Sequence, residues 1–80
     1  MEIKMKVYVV CIEEDGHSGI IAAAYPFRTF EEAWKFAEQE NATFKNDYGE
    51  NIVTGVQEGY SIYSHTDDYY IYITVSEHFI

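Results

Sequence analysis

The first part of the chain alternates between apolar and polar residues. From Glu2 to Ile12, one set of alternate positions is apolar and consists of Ile3, Met5, Val7, Val9 and Cys11. This period-2 pattern predicts a half-buried β-strand whose apolar set faces the core. The other set contains Tyr8 and becomes apolar toward its end, at Val10 and Ile12. The strand is therefore predicted to be central in its sheet, with partial cover on its second face.

A second strand is predicted after an acidic turn that contains glycine. Residues 13–19 combine acidic side chains with Gly16 and Gly19, which is the chemistry of a turn between two strands. The apolar run from Ile20 to Tyr25 then predicts the second strand of a hairpin. Because Pro26 cannot donate to a strand ladder, this strand is expected to end near Tyr25.

One amphipathic helix follows the hairpin. Thr29 and Glu32 fit a capping box, in which Thr29 accepts from the Glu32 amide and the Glu32 carboxylate reaches back to the Thr29 amide. The helix is predicted to begin at Phe30 and to end between Phe44 and Asp47. Apolar residues recur at helical spacing and form one stripe: Phe30, Ala33, Trp34, Ala37 and Phe44.

The last third of the chain predicts a second hairpin. Residues 60–65 and 69–75 are rich in Tyr and Ile, and they flank the turn Thr66-Asp67-Asp68. Alternation along the last strand sends one set toward the core, Ile71, Ile73 and Val75, and the other outward, Tyr70, Tyr72 and Thr74. Residues 52–56 fit either a short edge strand or an ordered loop.

These elements predict an α+β fold in the order β-β-α-β-β. One amphipathic helix is expected to pack on one face of a mostly antiparallel sheet of four strands, or of five if residues 52–56 form a strand. No repeat, linker or low-complexity segment divides the chain. Residues 1–80 are therefore expected to form a single domain.

The composition narrows the class of protein. The 80 residues include 5 Lys and Arg against 14 Asp and Glu, a formal net charge of −9, and 48% of them are apolar. This apolar content argues against a disordered acidic tail, and the charge argues against direct nucleic-acid binding. The opening residues do not resemble a signal peptide, and no apolar run reaches the roughly 20 residues of a membrane span. A cytoplasmic protein without membrane contact is expected.

Nucleophilic catalysis has no clear signature in this sequence. Cys11 is the single cysteine and falls on the face assigned to the core, where a free thiol is usually structural. The turn Gly16-His17-Ser18-Gly19 lacks the Gly-x-Ser-x-Gly spacing of a nucleophile elbow. Turn chemistry accounts for its glycines.

Metal-ligating residue types are present without a metal-binding pattern. They are three histidines and several turn carboxylates: His17, His65, His78, Asp15, Asp67 and Asp68. No pair of histidines has the spacing of a zinc site on a helix, and the acids do not form a calcium loop. We therefore expect no enzyme activity and no cofactor, with an enzyme that uses His65 or His17 as the third alternative.

Two features remain as signals of function. Four tyrosines are predicted on the sheet face away from the helix: Tyr8, Tyr63, Tyr70 and Tyr72. Tyrosine has a large apolar body and a polar tip, which suits protein interfaces, although cross-strand tyrosine pairs also stabilise sheets. Carboxylates stand near both turns and at the helix start, where they either direct the protein to basic partners or serve solubility.

The order of the elements is similar to that of a known group. The segment Lys6–Val10, a glycine-bearing turn, the capped helix segment Phe30–Ala37 and the closing Tyr70, Tyr72 and Ile73 resemble the small uncharacterised β-β-α-β proteins of bacteriophage and bacterial genomes. The resemblance implies the fold and a phage setting, and it carries over no catalytic residues. Residues 46–61 depart from the pattern of the group.

The sequence favours a non-enzymatic protein-interaction domain. Its predicted contact residues are Tyr63, Tyr70, Tyr72, Asp67 and Asp68, and the expected partner is a host or viral protein with a basic or aromatic-accepting surface. A homodimer is a variant, because a tyrosine-bearing face and an open edge strand both need cover. The alternative is an acidic inhibitor of the anti-CRISPR or anti-restriction type, which mimics nucleic acid and requires its carboxylates to group on one surface.

Overall fold

A single antiparallel sheet and one helix make up the fold. The computed structural model describes residues 5–49, 53–57 and 59–80. The elements are β1 (Lys6–Gly16), β2 (Gly19–Phe27), α1 (Phe30–Tyr48), β3 (Val53–Gln57), β4 (Ser61–His65) and β5 (Tyr70–Phe79). The strands lie in the order β2-β1-β5-β4-β3, and α1 packs on one face. The predicted α+β fold is confirmed, with the fifth strand present as an edge.

Local sequence signals set the ends of α1. Thr29 is extended, and its Oγ1 accepts a hydrogen bond from the Glu32 amide at 3.2 Å, as predicted. The Glu32 carboxylate instead accepts from Thr29 Oγ1, also at 3.2 Å. The helix continues to Tyr48, one residue past the predicted range, because Gly49 adopts φ 89° and donates to the Lys45 carbonyl at 3.0 Å. Nowhere in the described residues is a helix long and apolar enough to cross a membrane.

The core lies between α1 and the sheet. The helix buries Ala33, Ala37 and Phe44 there, while Phe30 and Trp34 pack against them partly exposed, so the predicted stripe is confirmed. The sheet contributes Val10, Ile62, Ile71, Ile73 and Val75. The predicted inward direction of Ile71, Ile73 and Val75 on the last strand is therefore also confirmed.

A buried polar chain links the helix to β4 and β3. The Ser64 hydroxyl has no exposed surface and donates to Asn41 Oδ1. Its single proton is used there, so Thr54 Oγ1, at 2.9 Å, must donate to Ser64 Oγ. Among the described residues, every buried side-chain nitrogen and oxygen has a hydrogen-bond partner. Asn41 follows the apolar stripe of α1 but was not predicted as part of the buried face.

β1 faces the core with the opposite set of residues from the one predicted. Val10 is completely buried and Ile12 packs against the core, whereas Cys11 is exposed on the other side. Between Val7 and Ile12 neither alternate set of this strand carries a charged residue, so the pattern alone does not determine its direction. Pairing with β5 does, because it places Val10 beside Val75 and Ile12 beside Ile73.

The other residues of β1 follow the same reversal. The rest of the described set that was predicted to face inward is partly or largely exposed: Met5, Val7 and Val9. Ile3 lies outside the described residues. Tyr8 was predicted to face away from the helix, but its ring meets that of Phe30 edge-on, with 6.0 Å between centroids. Tyr8 is therefore excluded from the outward group of tyrosines.

The first hairpin is tighter and longer than predicted. Its turn consists of His17 and Ser18 alone, so the acids of residues 13–15 belong to β1. β2 continues through Pro26 to Phe27 instead of ending at Tyr25. It can do so because β2 is an edge strand, on which a proline nitrogen can face away from the neighbouring strand.

Candidate functional site

The sheet face opposite α1, here called the open face, is the first candidate surface. Within the described part of the chain, α1 is the only helix, and it packs on the other side. In the centre of the open face, Glu13 of β1 lies beside Tyr72 of β5, and Asp15 lies beside Tyr70. Tyr72 in turn faces Tyr63 of β4. The strand pairing thus assembles tyrosines and carboxylates from distant parts of the sequence.

Tyr63 is the centre of an aromatic cluster on the open face. Its ring centroid lies 6.0 Å from that of Tyr70, 6.0 Å from that of Tyr72 and 5.2 Å from that of His65. Tyr63 and Tyr72 keep 39% and 40% of their surface exposed. The structure therefore brings together the three tyrosines that the sequence selected, and it adds His65 to them. We call these four residues the tyrosine cluster.

Carboxylates border the tyrosine cluster on the β1 side. Partial burial, the charge of Glu13 and a hydrogen bond from the Tyr70 hydroxyl to the Glu13 carboxylate raise the pKa of Tyr70 above its usual 10.0. Asp15 adds to this effect. Tyr70 therefore stays a neutral donor at physiological pH. Lys6 is the single Lys or Arg among the described strand residues, and it lies on the helix side near Glu77. The described strand residues therefore bring no Lys or Arg side chain to the open face.

The turn between β4 and β5 places Asp67 and Asp68 beside the cluster. Thr66 orders this turn: its N–H donates to the Tyr69 carbonyl at 2.8 Å, and its Oγ1 accepts from the amides of Asp68 and Tyr69 at 3.2 and 3.0 Å. Both aspartates are exposed. A hollow of about 170 Å³ lies between this turn and the rings of Tyr63 and Tyr70.

A second aromatic group, which sequence reasoning missed, lies on the other side of the same turn. The rings of His17, Tyr48 and Tyr69 contact one another there in tilted or edge-on arrangements, with centroids 4.7 to 5.0 Å apart. Tyr48 Oη accepts from the His17 amide at 3.1 Å, and Tyr69 Oη lies 2.9 Å from His17 Nδ1. This group, here called the His17 node, joins three elements: the first hairpin, the end of α1 and the β4–β5 turn. The spacing of Tyr48, four residues after Phe44, is the signal that could have placed it on the helical stripe.

Carboxylates collect around the His17 node. A hollow of about 340 Å³ is lined by the node together with Asp47, Asp67 and Asp68. Close by, partial burial and the charges of Glu40 and Asp47 raise the pKa of Glu14. We call this region the acidic end; its carboxylates are Glu14, Asp15, Glu40, Asp47, Asp67 and Asp68. A strong negative potential follows from so many carboxylates in one region.

The remaining candidate residues lie apart from one another. His17 belongs to the node, His65 to the tyrosine cluster, and His78 lies near the far end of β5, with Nε2 2.8 Å from Ser76 Oγ. In residues 5–49, 53–57 and 59–80, no three His, Cys, Asp or Glu side chains are arranged to hold a metal ion. Cys11 is exposed beside Ala24 and Thr74 rather than in the core, and the lining of its shallow hollow includes no histidine, Lys or Arg that would activate a thiol.

Comparison with known proteins adds no family to this description. No protein-family model, no curated protein and no solved structure matches the chain. The resemblance to small phage and bacterial β-β-α-β proteins therefore stays a prediction.

Proposed function

We propose that this protein is a non-enzymatic interaction domain that binds a Lys- or Arg-rich segment of another protein on its open face. The observation that carries the proposal is the tyrosine cluster, in which exposed aromatic rings lie next to carboxylates on a face without Lys or Arg among its described residues. Aromatic rings and carboxylates together are complementary to cationic side chains.

An arginine of the partner fits this surface in two ways. Its guanidinium can stack on Tyr63 or Tyr72, an interaction worth about 0.5–2 kcal/mol depending on exposure. Glu13 lies beside Tyr72, and Asp67 lines the hollow beside Tyr63, so that carboxylates near the rings can accept the hydrogen bonds of the guanidinium. The hollow beside the β4–β5 turn gives the end of such a side chain a place between rings and carboxylates.

The net charge contributes to the rate of binding. A chain of charge −9 attracts a basic partner over a distance of about 8–10 Å at moderate salt, and this attraction weakens as salt is added. The proposal places the protein in the cytoplasm, where a free, exposed Cys11 stays reduced. A phage setting, implied by the resemblance alone, would make the partner a host or viral protein.

The test is binding of a short arginine-glycine peptide, followed by NMR chemical shifts and calorimetry. We expect the largest shifts at Tyr63, Tyr70 and Tyr72, and about tenfold weaker binding by Tyr72→Ser. Tyr25→Ser is the matched control, because Tyr25 is also 40% exposed but lies on the helix side. Equal losses for the two variants, or shifts confined to α1, would show that the open face is not the binding surface.

A second candidate function is favoured by the acidic end. Its carboxylates come from β1, α1 and the β4–β5 turn, and this grouping on one region is what a nucleic-acid mimic requires. In this candidate the acidic end occupies the phosphate-binding surface of a defence or transcription protein. Displacement of a fluorescent DNA duplex from bacterial restriction and transcription proteins tests it: Asp67→Asn/Asp68→Asn should abolish displacement, and Tyr72→Ser should not.

A further inference from the structure

The outer edge of β2 is long and carries no charged side chain. β2 is one edge of the sheet and runs over nine residues, GIIAAAYPF. Ile20 and Ile21 are 71% and 48% exposed. Natural sheets usually protect such an edge with lysines, bulges or a covering element, since its free amides and carbonyls can pair with another strand. Proline also protects an edge, because it has no N–H to pair, and Pro26 is the one such residue in β2.

The free hydrogen-bonding groups of this edge fall at alternate residues. The hairpin turn has two residues, so the flanking Gly16 and Gly19 exchange hydrogen bonds, and every second residue of β2 then bonds to β1. The intervening residues direct their amides and carbonyls away from β1: Ile20, Ala22 and Ala24. Pro26 is next in this outward series and has no N–H to offer.

We propose that β2 pairs antiparallel with β2 of a second copy of this chain, about a two-fold axis at Ala22. In this register Ala22 lies opposite Ala22 of the second copy, and Ile20 lies opposite Ala24. All the outward N–H groups then meet carbonyl acceptors, while Pro26 stays outside the ladder. The two sheets become one continuous sheet with both helices on the same side.

Side-chain sizes support this register. It sets Ile20 against Ala24 on the open face, and Ile21 against Ala23 on the helix side. Each bulky, exposed isoleucine of one copy therefore meets a small alanine of the other, which allows close cross-strand packing. The most exposed apolar residues of the edge lose contact with water in the same step.

The charge distribution bears on the orientation of the second copy and argues against a basic peptide at this edge. The Gly19 end of β2 adjoins the acidic end, whereas its Phe27 end leads to the start of α1. Antiparallel pairing places the two acidic ends at opposite ends of the dimer, whereas parallel pairing would place them side by side. Face-to-face association of two open faces would oppose carboxylates instead, and an uncharged strand offers a basic peptide no complementary charge.

The dimer does not rest on the proposed function, because β2 lies apart from the tyrosine cluster. A single added ladder is small compared with the roughly 1,200–2,000 Å² of stable interfaces, so we expect a dimer that depends on protein concentration. Salt should strengthen it by screening two chains of charge −9 from each other. Salt should weaken binding of the arginine-glycine peptide, so the two associations are separable.

Sedimentation equilibrium of the full chain at several concentrations and salt levels is the first measurement. The expected result is a monomer–dimer equilibrium that shifts toward dimer at high salt and that Ala22→Pro abolishes, while circular dichroism shows an unchanged fold. A monomer at all concentrations would overturn the proposal. A dimer that survives Ala22→Pro would also overturn it. A dimer that Tyr63→Ser dissociates would identify the open face as the interface instead of β2.

Disulfide formation tests the register. In a Cys11→Ser background, Ala22→Cys should link two copies under mild oxidation, because residues paired across an antiparallel ladder lie about 5.5 Å apart at Cα. Ala24→Cys is the matched control on the same strand and face, and both alanines are exposed. In the proposed dimer, residue 24 of one copy would lie several residues along the ladder from residue 24 of the other copy, too far for a disulfide. Equal cross-linking of the two variants would overturn the Ala22 axis.

Discussion

The hydroxyl oxygen of Tyr48 fills the space in which a side chain at Gly16 would begin. A Cβ at residue 16 would overlap Tyr48 Oη and would lie 3.1 Å from Cζ of the same ring. The next residue, His17, donates its amide hydrogen to that Oη. The absence of a side chain at residue 16 thus lets the end of α1 close onto the first hairpin and build the His17 node.

Gly16→Ala should therefore lower the free energy of unfolding by about 1–3 kcal/mol, since the added methyl group displaces the Tyr48 hydroxyl. Tyr48→Phe removes this clash at the cost of one hydrogen bond, about 1 kcal/mol. The double variant should lose less than the sum of the single variants. Urea denaturation measures all three, with Gly55→Ala as the control because a Cβ there meets nothing within 4 Å. Additive losses would contradict the close approach.

The buried polar chain through Ser64 gives a second stability prediction. Ser64→Ala should cost about 1–3 kcal/mol, because it leaves the buried Asn41 Oδ1 without its donor. Thr54→Val removes only the outer donor of the chain and should cost less. Ser18→Ala, at an exposed turn position, is the control with an expected change near zero. Thermal unfolding compares the variants, and a loss for Ser64→Ala no larger than that of the control would refute the chain.

Glu14 should make the free energy of unfolding depend on pH in the acidic range. Its pKa is raised in the folded protein, so the folded state holds this proton more tightly than the unfolded state. The contribution of Glu14 to stability is therefore fully present below pH 4.5, the usual pKa of its carboxyl group. It is lost as the pH rises through the raised pKa. Glu14→Gln should stabilise at pH 7 by roughly 0.5 kcal/mol, a small gain because the side chain is partly solvated. Denaturation at pH 4 and pH 7 tests this, and Glu38→Gln on the exposed side of α1 should give no such gain.

Tyr70 should ionise at a higher pH than an ordinary tyrosine. Partial burial and the Glu13 carboxylate stabilise its neutral form, so the contribution of Tyr70 to stability is present below pH 10 and is lost as pH rises through its raised pKa. Glu13→Gln should move the pKa of Tyr70 back toward 10. NMR of the labelled tyrosine ring carbon follows this titration, with Tyr70→Phe for assignment. An unchanged pKa in Glu13→Gln, or an equal shift in the remote Glu31→Gln, would contradict the contact.

The elements whose signals are local could be predicted from the sequence. Thr29 and Gly49 are capping residues, and their chemistry acts within one helical turn. Both α1 and the last strand have one clearly apolar side. In α1 it is the helical stripe, and in the last strand it is Ile71 and Ile73, which alternate with tyrosines. The outward placement of Tyr63, Tyr70 and Tyr72 followed from the same alternation, and this is why part of the candidate site could be named in advance.

The direction in which β1 faces, the length of β2 and the contacts at the acidic end depend on tertiary packing. β1 has apolar residues on both alternate sets, so only its pairing with β5 and its contact with α1 selected Val10 over Cys11. The His17 node joins residues 31 and 52 positions apart, a separation at which no local pattern operates. Propensity and periodicity act over one turn or one strand, whereas register and cross-element contacts depend on the whole chain packing at once.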